Sequence, residues 1–313
     1  MNIVITNVYC YENRGDAGIV LSMIENLKQT FPGAKITVLS LWPEIDKGKY
    51  GQDIEVSESP ITVCKNKNKY IRSLRNSALL LIKVINYQLG KFDNSEKRIR
   101  SADLIVSCGG GYMQCRDLKQ FVDGFVYHYI QLYLAKKLKK DYVIFAQTIG
   151  PFGDLYKKYM KKIFQQALLV LPREKISYNY VIKEFPEAKT HLTADVAFLL
   201  SKEYYDLKTT QNKVNVGITV RSWIYPGYSN RQEMEEKYIQ SIVEFVDYLN
   251  SQGKYSVYFM PQCVGPKNDN DLIITNKIVN LIKKTESINV LNSEIKPEQL
   301  KYCLLYTSPS PRD

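Results

Sequence analysis

Short apolar runs alternate with stretches of helical spacing along most of this chain. Asn2 to Val8 is apolar and alternating, as a buried strand requires. A loop Tyr9 to Gly15 follows, then Ile19, Met23, Ile24 and Leu27 at helical spacing, ending near Phe31-Pro32-Gly33. Lys35 to Leu41 is a second strand, which makes the opening a strand–helix–strand unit of a parallel sheet. Ile71, Leu74, Ala78, Leu81, Ile82 and Ile85 mark a helix over Tyr70 to Leu89, with Arg72, Arg75 and Lys83 beside them. Such a helix either packs on its own sheet or lies on a membrane surface. Strands are expected at Asp103 to Ser107, Tyr142 to Ala146, Ala167 to Leu171 and near Leu192 to Phe198. Phe121 to Leu138, apolar nearly all round, reads as a buried crossover helix.

The polar stretch Lys202 to Lys213 lacks periodicity and reads as a linker. After it the rhythm restarts with strand Val214 to Val220, helix Glu233 to Leu249, strand Tyr255 to Met260, helix Asp271 to Lys284 and strand Ile288 to Leu291. The expected fold class is therefore α/β: a parallel-sheet domain over 1–201, a linker over 202–213, and a second, incomplete domain over 214–302. Residues 303–313 show neither period and resemble the translated read-through of a sequencing-library adapter. On that reading they are non-native and the natural protein continues differently after Tyr302; the alternative is a natural Ser-Pro tail.

Composition narrows the class. A hydrophobic fraction of 45% with 24% charged residues suits a globular protein rather than a disordered chain. Met1 leads directly into a strand, so no signal peptide is expected and the cytoplasm is the expected compartment, with the inner face of the membrane as an extension. The six cysteines have no metal-ligand spacing and His128 and His191 stand alone, so neither a metal site nor disulfides are expected. A net charge of +11, concentrated in Lys65 to Arg100, Lys136 to Lys140 and Lys157 to Lys162, suits an anionic membrane or phosphorylated substrate. An AT-rich genome gives the same bias without any partner. No nucleic-acid recognition motif accompanies the charge.

Candidate chemistry gathers at predicted strand ends, which in an open parallel sheet face one crevice. Asn13-Arg14-Gly15-Asp16 stands at the start of the first helix, where free N–H groups favour an anion. Asp16 is placed either to cap that helix or to act as a base toward a hydroxyl. Gly109, Gly110 and Gly111 follow the strand ending at Ser107 and permit backbone amides to cradle a phosphate or carboxylate. The spacing is neither a dinucleotide fingerprint nor a P-loop. Gln147 ends an apolar strand, a costly place for an amide without partners. Arg173, with Glu174 beside it and Ser177 one turn on, suits a bidentate grip on an anion or an ion pair with Glu174 or Asp195. In the second domain Arg221-Ser222-Trp223 and Pro261-Gln262-Cys263 close two strands, and Asp269 and Asp271 open the next helix, as caps or sugar ligands.

Taken in order, Asn13-x-Gly15-Asp16, Gly109-Gly110-Gly111, Ala146-Gln147-Thr148-Ile149-Gly150-Pro151, Arg173-Glu174-x-x-Ser177, Asp195-x-Ala197-Phe198 and Pro261-Gln262 resemble the polysaccharide pyruvyl transferase family. The resemblance implies two Rossmann-like domains similar to GT-B glycosyltransferases. It also implies transfer of a pyruvyl group from phosphoenolpyruvate, as donor substrate and without a cofactor, to a sugar of an exopolysaccharide or cell-wall glycan as a ketal. It implies a substrate-binding set of Asn13, Gly15, Gly109, Gly110, Gly111, Gln147, Arg173, Ser177, Asp195, Arg221 and Gln262, with Asp16 catalytic. The acceptor is expected to be lipid-linked in some pathways, with peripheral contact at an anionic membrane. The family's further Arg-x-His motif is absent up to Tyr302, so the general acid is expected beyond it and the chain as it stands is expected to be inactive. The rival readings are a GT-B glycosyltransferase using a nucleotide sugar and a non-catalytic partner in glycan assembly.

Overall fold

The computed structural model describes residues 1–64, 68–207, 212–223, 225–266, 270–291 and 294–307. The chain divides into two compact units: Met1–Tyr11 with Asp16–Leu200, and Glu12–Gly15 with Ser201–Asp313.

The first unit is built on β1 (Asn2–Val8), α1 (Arg14–Thr30), β2 (Lys35–Ser40), α2 (Pro43–Asp46), β3 (Glu55–Glu58), α3 (Lys69–Gln88), α4 (Asn94–Ser101), β4 (Leu104–Ser107), β5 (Gly110–Cys115), α5 (Leu118–Gln120), α6 (Val126–Lys137), β6 (Tyr142–Phe152), α7 (Asp154–Gln166), β7 (Leu169–Pro172) and α8 (Lys175–Glu184). Its seven strands are all parallel, in the order β3-β2-β1-β4-β6-β5, with β7 also on β6. Period-two alternation sends Ile3 and Ile5 of β1 to one face with Ile19, Val20 and Met23 of α1. Val4 goes to the other face, with Ile130 and Leu134 of α6. Both faces are covered, as a parallel sheet requires.

β4 and β5 behave as one interrupted strand along the same edge of β6. Ile105, Val106 and Ser107 pair with Tyr142, Val143 and Ile144, and after the break Gly110 pairs with Gln147 and Cys115 with Phe152. The glycines read from sequence as a loop are thus partly strand, with the break confined to Cys108 and Gly109. The segment near Leu192 to Phe198 is not a strand. Thr190 to Thr193 runs beside β7 through His191 N–H to Val170 O and Thr193 N–H to Pro172 O. Asp195 then caps a 3-10 turn over Val196–Leu199 by accepting Ala197 N–H at 2.9 Å. Exposure of Leu192, Phe198 and Leu199 explains why no ladder continues there. The crossover helix begins with a π-helical turn over Phe121–Phe125 before α6.

The second unit carries β8 (Val214–Ile218), α9 (Arg231–Ser251), β9 (Tyr255–Phe259), α10 (Asp271–Val279), β10 (Ile288–Val290) and α11 (Pro297–Thr307), with a parallel sheet in the order β10-β9-β8. Val257 and Phe259 pack with α9 and α10, whereas Tyr258 and Met260 face Leu291, Ile295, Leu300 and Cys303. Two differences from the sequence reading follow. Within the stretch read as a linker, Leu207 is buried in that second cluster and Glu203 bonds to Lys296 and Gln299; residues 208–211 lie outside the described residues. Cys303 to Thr307, read as patternless, continue α11, because Leu300 and Cys303 fall on one face at i, i+3 spacing and are buried together.

Candidate functional site

Three neighbouring strands of the first unit lose their regular conformation at the same level. Thr6 pairs with Ser107 and Ser107 with Ile144. Just beyond this row, Asn7 has φ +65°, Gly110 φ +145° and Ala146 φ +46°. Positive φ on Asn7 and Ala146 is costly backbone, of the kind that persists where surroundings hold it and that gathers at functional sites. A Cβ on Gly109 would stand 3.0 Å from Ala146 O and 3.2 Å from Ile19 Cγ2, so only glycine lets β4 pass this close to β6.

A pocket of about 230 Å³ opens at this row, lined by residues that include Asn7, Asp16, Gly109, Gly111, Tyr112 and His128. The Tyr112 hydroxyl donates to Cys108 O at 2.6 Å and meets Ser107 Oγ at 3.0 Å, and Asn7 Nδ2 donates to the same Oγ at 3.0 Å. The His128 ring stacks on Tyr112 with centroids 4.0 Å apart. Gln147 is fully buried and its amide donates to Cys108 O. Buried polar atoms remain unpartnered: Asn7 Oδ1 and His128 Nδ1 of the lining residues, and Gln147 Oε1 and Thr6 Oγ1 on fully buried residues that do not line the pocket. Orphaned buried polar atoms are rare and call for a hydrogen-bonding ligand or water.

Burial lowers the His128 pKa to about 3, so its imidazole is neutral at physiological pH. Burial, reinforced by the Asp16 and Asp195 carboxylates, raises the Cys108 thiol well above its usual range, which removes it as a nucleophile. The His128 shift has a consequence for stability. Between pH 6.5 and about 3 the unfolded chain binds a proton at His128 that the folded chain refuses, so stability falls as pH falls through that window. His128→Phe is expected to flatten the acid side of a plot of Tm against pH; a profile parallel to wild type below pH 6.5 would contradict the assignment.

Arg173 follows β7, its backbone N–H donating to Gln147 O at 3.0 Å. Its Nη1 bonds Asp195 Oδ2 at 2.5 Å and its Nε bonds Thr148 Oγ1 at 2.9 Å, while Glu174 Oε2 lies 3.6 Å from Nε. The ion-pair reading of Arg173 therefore holds for two of its three nitrogens. No hydrogen bond is made by Nη2 among the described residues, and a Cβ on Gly111 would be 3.8 Å from it. Ser177 is buried, accepts Ile149 N–H at 2.7 Å and donates to Glu174, so it holds β6 against α8 rather than facing the pocket. One guanidinium between two carboxylates gives no surplus of positive charge. An anion here would be held by directed N–H donors.

Four predicted residues belong to the second unit. Asn13 bridges Cys263, and the Arg14 N–H donates to Gln262 O at 3.0 Å. Arg14 itself is buried, with Nη1 on Pro261 O at 2.6 Å and Nε on Ile295 O at 3.0 Å; the sequence had given it no role. Gly15 and Arg221 are exposed, and Gln262 Nε2 donates to Met260 O at 3.2 Å. Asp271 is neither a helix cap nor open to a sugar: it is buried, accepting Gln262 N–H at 3.0 Å and Cys263 N–H at 2.8 Å, and Asn270 caps α10. Asp269 lies outside the described residues. None of the six cysteines forms a disulfide, and no cluster of metal-ligating side chains occurs among the described residues.

Two parallel-sheet α/β units define a protein whose fold is similar to that of GT-B glycosyltransferases. S. aureus MnaA, solved with UDP, is 13% identical and covers 97% of this chain and 71% of its own, at a TM-score of 0.51. A glycosyltransferase of Rickettsia africae ESF-5 is 14% identical over 96% and 70%, at 0.47. No curated protein gives a significant match. The sequence model of the polysaccharide pyruvyl transferase family matches residues 13–306, and the chain belongs to that family.

Proposed function

We propose that this transferase moves a pyruvyl group from phosphoenolpyruvate to two hydroxyls of a glycan sugar, forming a ketal and releasing phosphate. The observation that carries the reading is the unused Nη2 of Arg173 beside Gly111, at the edge of a pocket lined by Asp16 and bordered by unpartnered acceptors. Nη2 and the glycine amides suit the donor's carboxylate or phosphate. Asn7 Oδ1 and Gln147 Oε1 suit hydroxyl donors, which a sugar supplies and a phosphate does not. In the proposed reaction the donor methylene gains a proton and becomes a methyl group. A sugar hydroxyl then bonds to the central carbon, phosphate leaves, and a second hydroxyl closes the ketal with loss of its proton. Asp16 takes the proton of an attacking hydroxyl, a role commonly worth about 100- to 10,000-fold in rate.

Calorimetric titration of the chain with phosphoenolpyruvate and, separately, with UDP tests the reading. Saturable binding of phosphoenolpyruvate is expected. Binding of UDP alone would replace this reading with nucleotide-sugar transfer, and binding of neither would favour a non-catalytic partner.

A further inference from the structure

Helix α3 faces the wrong way for a helix in water. Its outer stripe runs Tyr70, Ile71, Leu74, Ser77, Ala78, Leu81, Ile82, Ile85, Gln88 and on to Leu89, all exposed and none charged. Leu74 is 74% exposed and Leu81 61%. Arg72, Arg75 and Lys83 point instead into the protein: Arg72 meets Asp123 at 3.4 Å, Arg75 Nη1 bonds Thr62 O at 3.0 Å, and Lys83 pairs with Asp93 and with Glu96 at 3.6 Å. A solvated surface helix shows the opposite pattern. Twenty residues at 1.5 Å per residue give an apolar strip about 30 Å long, larger than the scattered apolar residues of an ordinary surface.

Charge decides what covers it. No acidic residue lies between Lys69 and Gln88. At the helix's C-terminal end Tyr87 stands 5.9 Å from the Phe92 ring, on which Arg100 sits at 5.2 Å, and the Tyr87 hydroxyl reaches Lys137 O at 3.1 Å. Lys91, Arg100 and Lys137 are exposed there, with no carboxylate partner among the described residues. An uncharged apolar strip ended by three cations without carboxylate partners matches a bilayer with anionic headgroups: the strip enters the acyl boundary and the cations remain at the phosphates. No helix among the described residues is long and apolar enough to cross a membrane, so the contact is one of surface insertion.

We infer that the outer face of α3 docks this protein on an anionic lipid surface. The inference does not depend on the reaction catalysed. Its test is co-sedimentation of the full chain with vesicles of phosphatidylcholine containing phosphatidylglycerol, and with phosphatidylcholine alone. Binding to the anionic vesicles is expected, at least about tenfold weaker without phosphatidylglycerol and at least about tenfold weaker for the double variant L74E/L81E. Both side chains are exposed, so the double variant should keep the wild-type melting curve, and that curve is the folding control. Absence of wild-type binding, or equal binding by the variant, would overturn the inference. So would a wild-type dimer that L74E/L81E dissociates without any vesicle binding, because the face would then belong to a second copy of the chain.

Discussion

Arg173→Ala is expected to weaken phosphoenolpyruvate binding by about 10- to 100-fold, the range of one hydrogen bond to a charged group. The loss comes from Nη2, the guanidinium nitrogen left unspent by the bonds to Asp195 and Thr148. Arg173→Lys separates the contributions. It keeps the charge but cannot reach Asp195, Thr148 and a ligand at once, so an intermediate affinity is expected. Alanine also leaves Asp195 without its cation, but that carboxylate is 27% exposed and still accepts Ala197 N–H at 2.9 Å. A modest fall in Tm is therefore expected beside the large fall in affinity. Calorimetry on the variants reads both; wild-type affinity in a folded Ala variant would remove Arg173 from the site.

Gln147→Met should separate stability from binding in the opposite direction. Gln147 is fully buried, its Oε1 has no partner, and an unsatisfied buried acceptor costs about 1–3 kcal/mol. Methionine is of similar length and removes that acceptor. Cys108 O loses the amide donor but keeps the Tyr112 hydroxyl at 2.6 Å. Thermal unfolding is expected to be unchanged or raised by roughly 2–4 °C per kcal/mol regained. Affinity for the bound substrate is expected to fall about tenfold or more, as for any site whose stabilising substitution removes a functional group. A destabilised Met variant with unchanged binding would make Gln147 a structural residue instead.

Much of this site is legible in the sequence, because a buried strand that ends in a polar or glycine residue is costly without a purpose. Gln147 and Gly109 to Gly111 stand out on that ground alone. Asn7 carries the same signal at the end of β1, but an Asn after an apolar run is also ordinary turn chemistry. His128 and Tyr112 were not legible at all. Their stacking depends on β5 running as a strand past α6, and glycines at its start disguise that strand as a loop. The short edge strand β3, Glu55-Val56-Ser57-Glu58, has a single apolar residue and no period to read. Ser177 and Asp271 sit in site-like motifs, yet each commits an oxygen to backbone N–H groups; sequence names the residue type but not which neighbour takes the bond. The inverted face of α3 lies between these cases. Its period is plain in the sequence, but which side faces the protein is decided by the partners of Arg72, Arg75 and Lys83.

The most direct test of the central claim is a crystal structure of the chain soaked with phosphoenolpyruvate. Density for the donor is predicted beside Arg173 Nη2 and the Gly110–Gly111 backbone, within hydrogen-bond reach of both. Donor density elsewhere on the chain, with Arg173 Nη2 and the glycine strand bare at saturating ligand, would contradict it.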